Sequence, residues 1–205
     1  MNPPSRLPVT AIILAGGRAT RMGGMDKGLV ELCGRPMIAH VLAALEPQVA
    51  HVMINANRNL ARYAAFGCPV VADADDDFLG PLAGLSAGLG AAKTDLVLTA
   101  PCDCPLLIPD LAKRLHAALE REDAEIAVAF DGERLQPVFA LVQRKLADSL
   151  AAYLGAGDRK IDRWFARHRL ARVDFSDCPE NFINVNDPTE RSALEARLAA
   201  HDRSD

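Results

Sequence analysis

The stretch Leu14-Ala15-Gly16-Gly17-Arg18-Ala19-Thr20-Arg21-Met22-Gly23-Gly24-Met25-Asp26-Lys27 decides how the rest of this 205-residue chain is read. It continues Thr10-Ala11-Ile12-Ile13-Leu14, a short apolar run of the kind a buried strand requires. At Gly16-Gly17 the chain can turn sharply, because no Cβ hinders positive φ or the close approach of a ligand. Successive backbone N–H groups in such a corner converge on an anion, and Arg18, Arg21 and Lys27 set cations around it. The pattern predicts a phosphate cradle at the end of a first strand. It is not a P-loop, since Lys27 follows Asp26 and precedes Gly28. Nor is it the G-x-G-x-x-G dinucleotide fingerprint, since Gly16 and Gly17 are adjacent.

Outward from that corner, strands and helices alternate. Pro36–Leu45 reads as a helix opened by proline, His51–Asn55 as a strand, and Leu60–Phe66 as a short helix. Pro69–Asp73 reads as a third strand ending on a carboxylate, Leu82–Ala92 as a helix and Leu96–Ala100 as a fourth strand. Leu111–Arg121 is an amphipathic helix. Ala124–Phe130 and Gln136–Leu141 flank the turn-forming pair Asp131-Gly132 and read as strands paired in part antiparallel. Helices follow over Gln143–Leu154, Lys160–His168 and Thr189–Ala200, with Trp164-Phe165 expected in the core. Short, nearly continuous apolar strands between helices predict an α/β fold. The expected form is a three-layer Rossmann-like sandwich, a mostly parallel central sheet with helices on both faces.

In such sheets ligands bind beyond the carboxyl ends of the strands. That rule collects Gly16, Gly17, Asn55, Asp73 and Asp103. Asp103 stands between Pro101 and Pro105, which hold the segment extended. A lone carboxylate facing a triphosphate suits Mg²⁺, which takes one or two carboxylates plus phosphate oxygens and water. The alternative, an aspartate capping the next helix, is better served by Asp110. Asp75-Asp76-Asp77 reads as a solvated loop. Gly84-Leu85-Ser86-Ala87-Gly88 matches G-x-S-x-G, but Pro81 before it argues against the strand that a nucleophile elbow needs. Gly80, Gly84 and Gly88 are instead expected to share one smooth helix face.

A single domain over 1–205 is expected, with 1–8 a disordered lead-in and 201–205 a polar tail. Half of the residues are hydrophobic, and the formal net charge of −4 argues against a general nucleic-acid binder. No apolar run is long enough to span a membrane. Cys33, Cys68, Cys102, Cys104 and Cys178 have neither disulfide nor zinc spacing and read as reduced thiols of a cytoplasmic protein. The five histidines are scattered.

Leu14-Ala15-Gly16-Gly17-x3-Arg21-Met22-Gly23-Gly24-x-Asp26-Lys27-Gly28-Leu29 resembles the signature of nucleotidyltransferases, and within them the molybdenum cofactor guanylyltransferase (MobA) family. The resemblance runs to about Pro188 and takes in Pro81-Leu82-Ala83-Gly84 and Phe182-x-Asn184-x-Asn186-x-Pro188, although Asp187 stands where the family pattern has threonine. It implies nucleotide contacts from Leu14, Ala15, Gly16, Gly17, Lys27, Asn55, Asp73 and Asp103, with Mg²⁺ on Asp103. Arg21, Lys27 and Asp103 are implied in catalysis. Alternation places Asn184 and Asn186 on one face, where paired carboxamides suit a pterin ring, the alternative being a plain turn.

The implied reaction is transfer of GMP from GTP to molybdopterin, with or without molybdenum, releasing pyrophosphate. Other cofactor-maturation proteins and acceptor apo-enzymes are implied as transient partners. A molybdopterin cytidylyltransferase, a sugar-phosphate nucleotidyltransferase and a non-catalytic GTP-binding regulator are the alternatives.

Overall fold

The computed structural model describes residues 6–17, 26–74 and 80–201. Arg18, Arg21, Gly23 and Gly24, and the run Asp75-Asp76-Asp77, lie outside the described residues.

Strand β1 (Leu7–Leu14) lies in the middle of the sheet, paired in parallel with β4 (Val49–Asn55) on one side and β6 (Leu96–Pro101) on the other. Beyond β4 lies the two-residue β5 (Val70–Val71); beyond β6 come β8 (Leu135–Gln143), β7 (Ile126–Phe130) and β9 (Leu170–Asp174). The order is β5-β4-β1-β6-β8-β7-β9, and β8 alone runs against the rest. A mostly parallel sheet was expected, as was the antiparallel β7–β8 pair around Asp131-Gly132.

Alternation along β1 explains the layers. Val9, Ala11 and Ile13 face one core, shared with Ile38, Val41 and Leu45 of α1 (Met37–Leu45) and Leu111 and Leu115 of α4 (Leu111–Arg121). Ile12 faces the other, shared with Leu82, Leu85 and Leu89 of α3 (Pro81–Ala91), Leu150 of α5 (Ala147–Gly155), and Trp164 and Phe165 of α6 (Ile161–Phe165). The short α2 (Leu60–Ala64) adds Tyr63 to the first core. Trp164 is fully buried, as its expected core role requires. Each such side chain contributes about 1.5–3 kcal/mol through burial.

Several boundaries differ from expectation for identifiable reasons. The first strand starts at Leu7, inside the expected lead-in, because Leu7 donates its N–H to the Gln48 carbonyl. The last helix, α7 (Pro188–His201), takes in the first residue of the expected tail. The third strand shrinks from Pro69–Asp73 to Val70–Val71, so Asp73 stands beyond the strand instead of terminating it. Gly80 is not on the helix face; it caps α3 with φ +80°, which leaves Gly84 and Gly88 against the sheet. The Asn181–Asp187 segment is no alternating strand but a 3₁₀ turn over Pro179–Phe182 followed by irregular extended chain.

A small hairpin, β2 (Glu31–Leu32) with β3 (Arg35–Pro36), was not foreseen. Cys33 and Gly34 form its two-residue loop with φ +51° and +72°, the paired positive values that match strand twist. Val30, Leu32 and Met37 beside this hairpin bury Val185 and Leu194. That third apolar cluster seats the carboxy-terminal segment next to the ends of the strands.

Candidate active site

The chain leaves β1 toward β4 and β5, then returns to the other side of β1 for β6. The crevice at that reversal, between the carboxyl ends of β1 and β6, is where an α/β sheet binds its ligand. There the Cys102 N–H donates to the Leu14 carbonyl (3.1 Å), and the Ala15 N–H donates to the Asn55 carbonyl (2.8 Å). These bonds bring Leu14, Ala15, Gly16, Asn55 and the Cys102-Asp103 segment side by side.

On the β6 side, Lys27 begins a 3₁₀ turn (Lys27–Leu29), and its Nζ donates to Asp103 Oδ2 at 3.0 Å and to Asn186 Oδ1 at 2.6 Å. The Val185 N–H donates to the Asp103 carbonyl at 2.9 Å, and the Cys104 thiol donates to Asn184 Oδ1. Asn184 and Asn186 are thus held on the Asp103 loop, although not by the strand alternation expected for them. Burial raises the Cys102 and Cys104 thiols well above the ordinary cysteine range, with the neighbouring Asp103 carboxylate acting in the same direction. Both are protonated at neutral pH, so Cys104 is a donor. Asp187 does cap the last helix: its Oδ1 accepts the Thr189 and Glu190 N–H groups at 2.8 and 2.9 Å. Glu190 Oε2 in turn accepts the Asn186 N–H at 2.6 Å.

Lys27 is placed from behind by residues that the sequence reading missed. Asp26 is buried and accepts the Tyr63 hydroxyl (2.5 Å) and the Asn59 amide (3.3 Å). Tyr63 is held far above the usual phenol range by burial, then by Cys102 and by its bond to Asp26, so it stays a neutral donor. A Cβ on Gly28 would lie 2.8 Å from the Tyr63 hydroxyl and 3.2 Å from Cys102 Cβ, which explains glycine after Lys27.

On the β4 side, Asp73 is gripped by two carboxamides. Its Oδ1 accepts Asn55 Nδ2 at 2.8 Å and its Oδ2 accepts Asn57 Nδ2 at 2.7 Å, while Asn57 Oδ1 accepts the Asp73 N–H at 2.8 Å. A Cβ on Gly16 would stand 3.0 Å from Asn57 Nδ2 and 3.1 Å from Asn55 Oδ1, so the glycine corner packs directly on this grip. Arg58 adds a bond to the Gly17 carbonyl at 3.2 Å. The repeat Asn55-Ala56-Asn57 was the signal for Asn57: residues two apart at a strand end share a face.

Residues 11–173 match the MobA-like NTP transferase domain. The chain belongs to that family. A molybdenum cofactor guanylyltransferase of Shewanella sediminis is 51% identical over 94% of this chain and 98% of its own length. One from Shewanella loihica is 52% identical over 93% and 97%. Among solved structures, molybdopterin-guanine dinucleotide biosynthesis protein A of Archaeoglobus fulgidus superposes with a TM-score of 0.78 at 22% identity, covering 93% of this chain and 99% of that one.

For a MobA-like nucleotidyltransferase, two further features are accounted for. Ser86 lies inside α3, not on a strand-to-helix elbow, so its motif carries no nucleophile. A cavity of about 450 Å³ beside Asp95, Gln143 and Arg144 opens at the amino end of β6, whereas Asp103 follows the carboxyl end of that strand. No helix among the described residues is long and apolar enough to cross a membrane.

Proposed function

We propose that this chain transfers GMP from GTP to the terminal phosphate of molybdopterin, releasing pyrophosphate and forming the guanine dinucleotide cofactor. The observation that carries the reading is the meeting of Lys27, Asp103 and Asn186, from three distant parts of the chain, at the sheet's reversal point. The names of relatives about 52% identical over nearly the full length supply the substrates.

The acceptor is a phosphate monoester, with a second pKa near ~6, and is largely a dianion at neutral pH. It needs no base to become a nucleophile. The protein must align two anions and offset charge on the α-phosphate and the departing pyrophosphate. Lys27 offers a fixed cation, and the Gly16-Gly17 amides are assigned to the phosphates, with Arg21 as a second cation. Asn184 and Asn186 are assigned to the pterin.

Mg²⁺ fits the donor set. Among the described residues no group of three or more His, Cys, Asp or Glu could hold an ion alone. Asp103 is a single carboxylate, of the sort that completes magnesium's shell together with phosphate oxygens and water. Bound there, the ion would neutralise charge on the polyphosphate. Reduced cysteines, none of them disulfide-bonded, support a cytoplasmic location, and handing on a dinucleotide product implies transient contacts with maturation proteins and acceptor apo-enzymes.

The test is competition among GTP, CTP, ATP and UTP for incorporation into molybdopterin, with pyrophosphate release followed in parallel. Preferential incorporation of GMP is expected. CMP incorporation would make the chain a cytidylyltransferase, and GTP binding without pyrophosphate release would make it a regulator.

A further inference from the structure

The geometry points to Asn57 as a positioning residue that sets base choice, by holding the Asp73 carboxylate still against the glycine corner. This rests on the proposed use of GTP and adds how guanine is told from other bases.

An ionised carboxylate has about four lone-pair sites. Two are taken, one on each oxygen of Asp73, by Asn55 and Asn57. Asn57 also accepts the Asp73 N–H, closing a ring of two hydrogen bonds that fixes side chain and backbone together. Asn55 is nearly fully buried and bonds the Val71 carbonyl as well, so the grip is itself anchored. The carboxylate is therefore unable to turn but still able to accept. Its supports abut Gly16, and Arg58 from the same loop bonds the Gly17 carbonyl, so it shares one surface with the corner assigned to the phosphates.

A fixed acceptor pair selects a ligand edge with two adjacent donors. Guanine has one, N1–H beside the 2-amino group. Adenine and cytosine set an acceptor beside their donor, and uracil places its single N–H between two carbonyls, so each turns a lone pair toward the carboxylate. One hydrogen bond to a charged group is worth roughly 10- to 100-fold in affinity. Without Asn57 the carboxylate would keep only its Asn55 bond and could rotate, losing that discrimination.

The experiment is equilibrium binding of GTP, ITP, 2′-deoxy-GTP and 3′-deoxy-GTP to the full chain and to Asn57→Ala, with thermal melting to monitor folding. ITP lacks only the 2-amino group. The unaltered protein should bind ITP about 10- to 100-fold more weakly than GTP. Asn57→Ala should weaken GTP toward the ITP level while changing ITP by less than about threefold, so that the ratio collapses. Equal weakening of both by Asn57→Ala would mean a merely structural residue. ITP as tight as GTP, or a loss on the deoxy analogues matching that on ITP, would place the sugar on Asp73 and overturn the inference. If Asn57→Ala fails to fold, the GTP–ITP comparison on the unaltered protein decides. Failure to bind any guanine nucleotide overturns this inference together with the proposed function, whereas intact selective binding without turnover counts only against the proposed reaction.

Discussion

Lys27 Nζ lies 3.0 Å from Asp103 Oδ2, across 76 positions of sequence. Neither group is free in solvent, with the lysine side chain 27% and the aspartate 12% exposed. Each therefore holds the other in place. Lys27→Ala and Asp103→Asn should each lower GMP transfer by on the order of 10²–10³, the usual cost of losing one preorganised charge stabiliser. Because the pair lies at the crevice and not in either core, melting temperature should change little. Single-turnover transfer with labelled GTP, beside thermal melts, checks both; near-normal turnover in either variant removes that residue from the mechanism.

The two asparagines should separate. Asn186 accepts Lys27 Nζ, whereas Asn184 accepts the Cys104 thiol, so only Asn186 bears directly on the lysine assigned to the phosphates. Asn184→Ala is expected to raise the KM for molybdopterin about tenfold and that for GTP by less than threefold, as loss of one hydrogen-bonding group predicts. Asn186→Ala should raise both. A steady-state matrix of the two substrates reads the split, and equal effects of Asn184→Ala on both would place the pterin elsewhere.

Two glycines of α3 should respond oppositely to alanine. A Cβ on Gly84 would stand 2.7 Å from Leu14 Cδ2 and also run into the Asn55 carboxamide, whereas one on Gly90 meets nothing within 4 Å. Gly84→Ala should destabilise by about 1–3 kcal/mol, the range for overpacking, and weaken nucleotide binding through Asn55. Gly90→Ala should stabilise by up to about 1 kcal/mol through helix propensity alone. Urea melts of the two variants, with GTP titration of the first, test this. A neutral Gly84→Ala would mean that the sheet can yield at this point.

What could be read from the sequence followed the range of the physics involved. The positions of the glycine corner, Asn55 and Asp103 at strand ends are legible in the sequence, because strand ends follow from apolar runs and the ligand rule for parallel sheets needs nothing more. β9 was overlooked although Leu170–Asp174 alternates exposed and buried along its length, with Ala171 and Val173 inward. The β2–β3 hairpin was hidden because Cys33, not asparagine or aspartate, takes the first positive-φ position of its loop. Long-range pairings were the least visible. Nothing local marks Tyr63 as the donor to Asp26, 37 positions away, or Cys104 as the donor to Asn184, 80 positions away.

Acid sensitivity of the fold should trace to His168. Its Nε2 is 3.1 Å from Ser149 Oγ, its ring packs edge-on at 5.0 Å from Trp164, and Nδ1 is 3.9 Å from Glu125 Oε2. Burial lowers its pKa below the ordinary histidine value; Glu125 opposes that shift and Arg167 adds to it. As pH falls, the unfolded chain therefore takes up the proton first, near the unperturbed pKa of about 6.5, and the folded form only later. The stabilisation is complete above that value and is lost as pH falls from there through the folded pKa. Glu125, Asp131 and Asp177, all shifted below the ordinary carboxylate values, act in the same direction but only below their own unfolded values near pH 4, outside this window. The urea midpoint should accordingly drop as pH falls below about 6.5, and His168→Gln should remove most of that drop while leaving the acid limb below about pH 4.5 in place. An identical drop in His168→Gln would assign the sensitivity to another group.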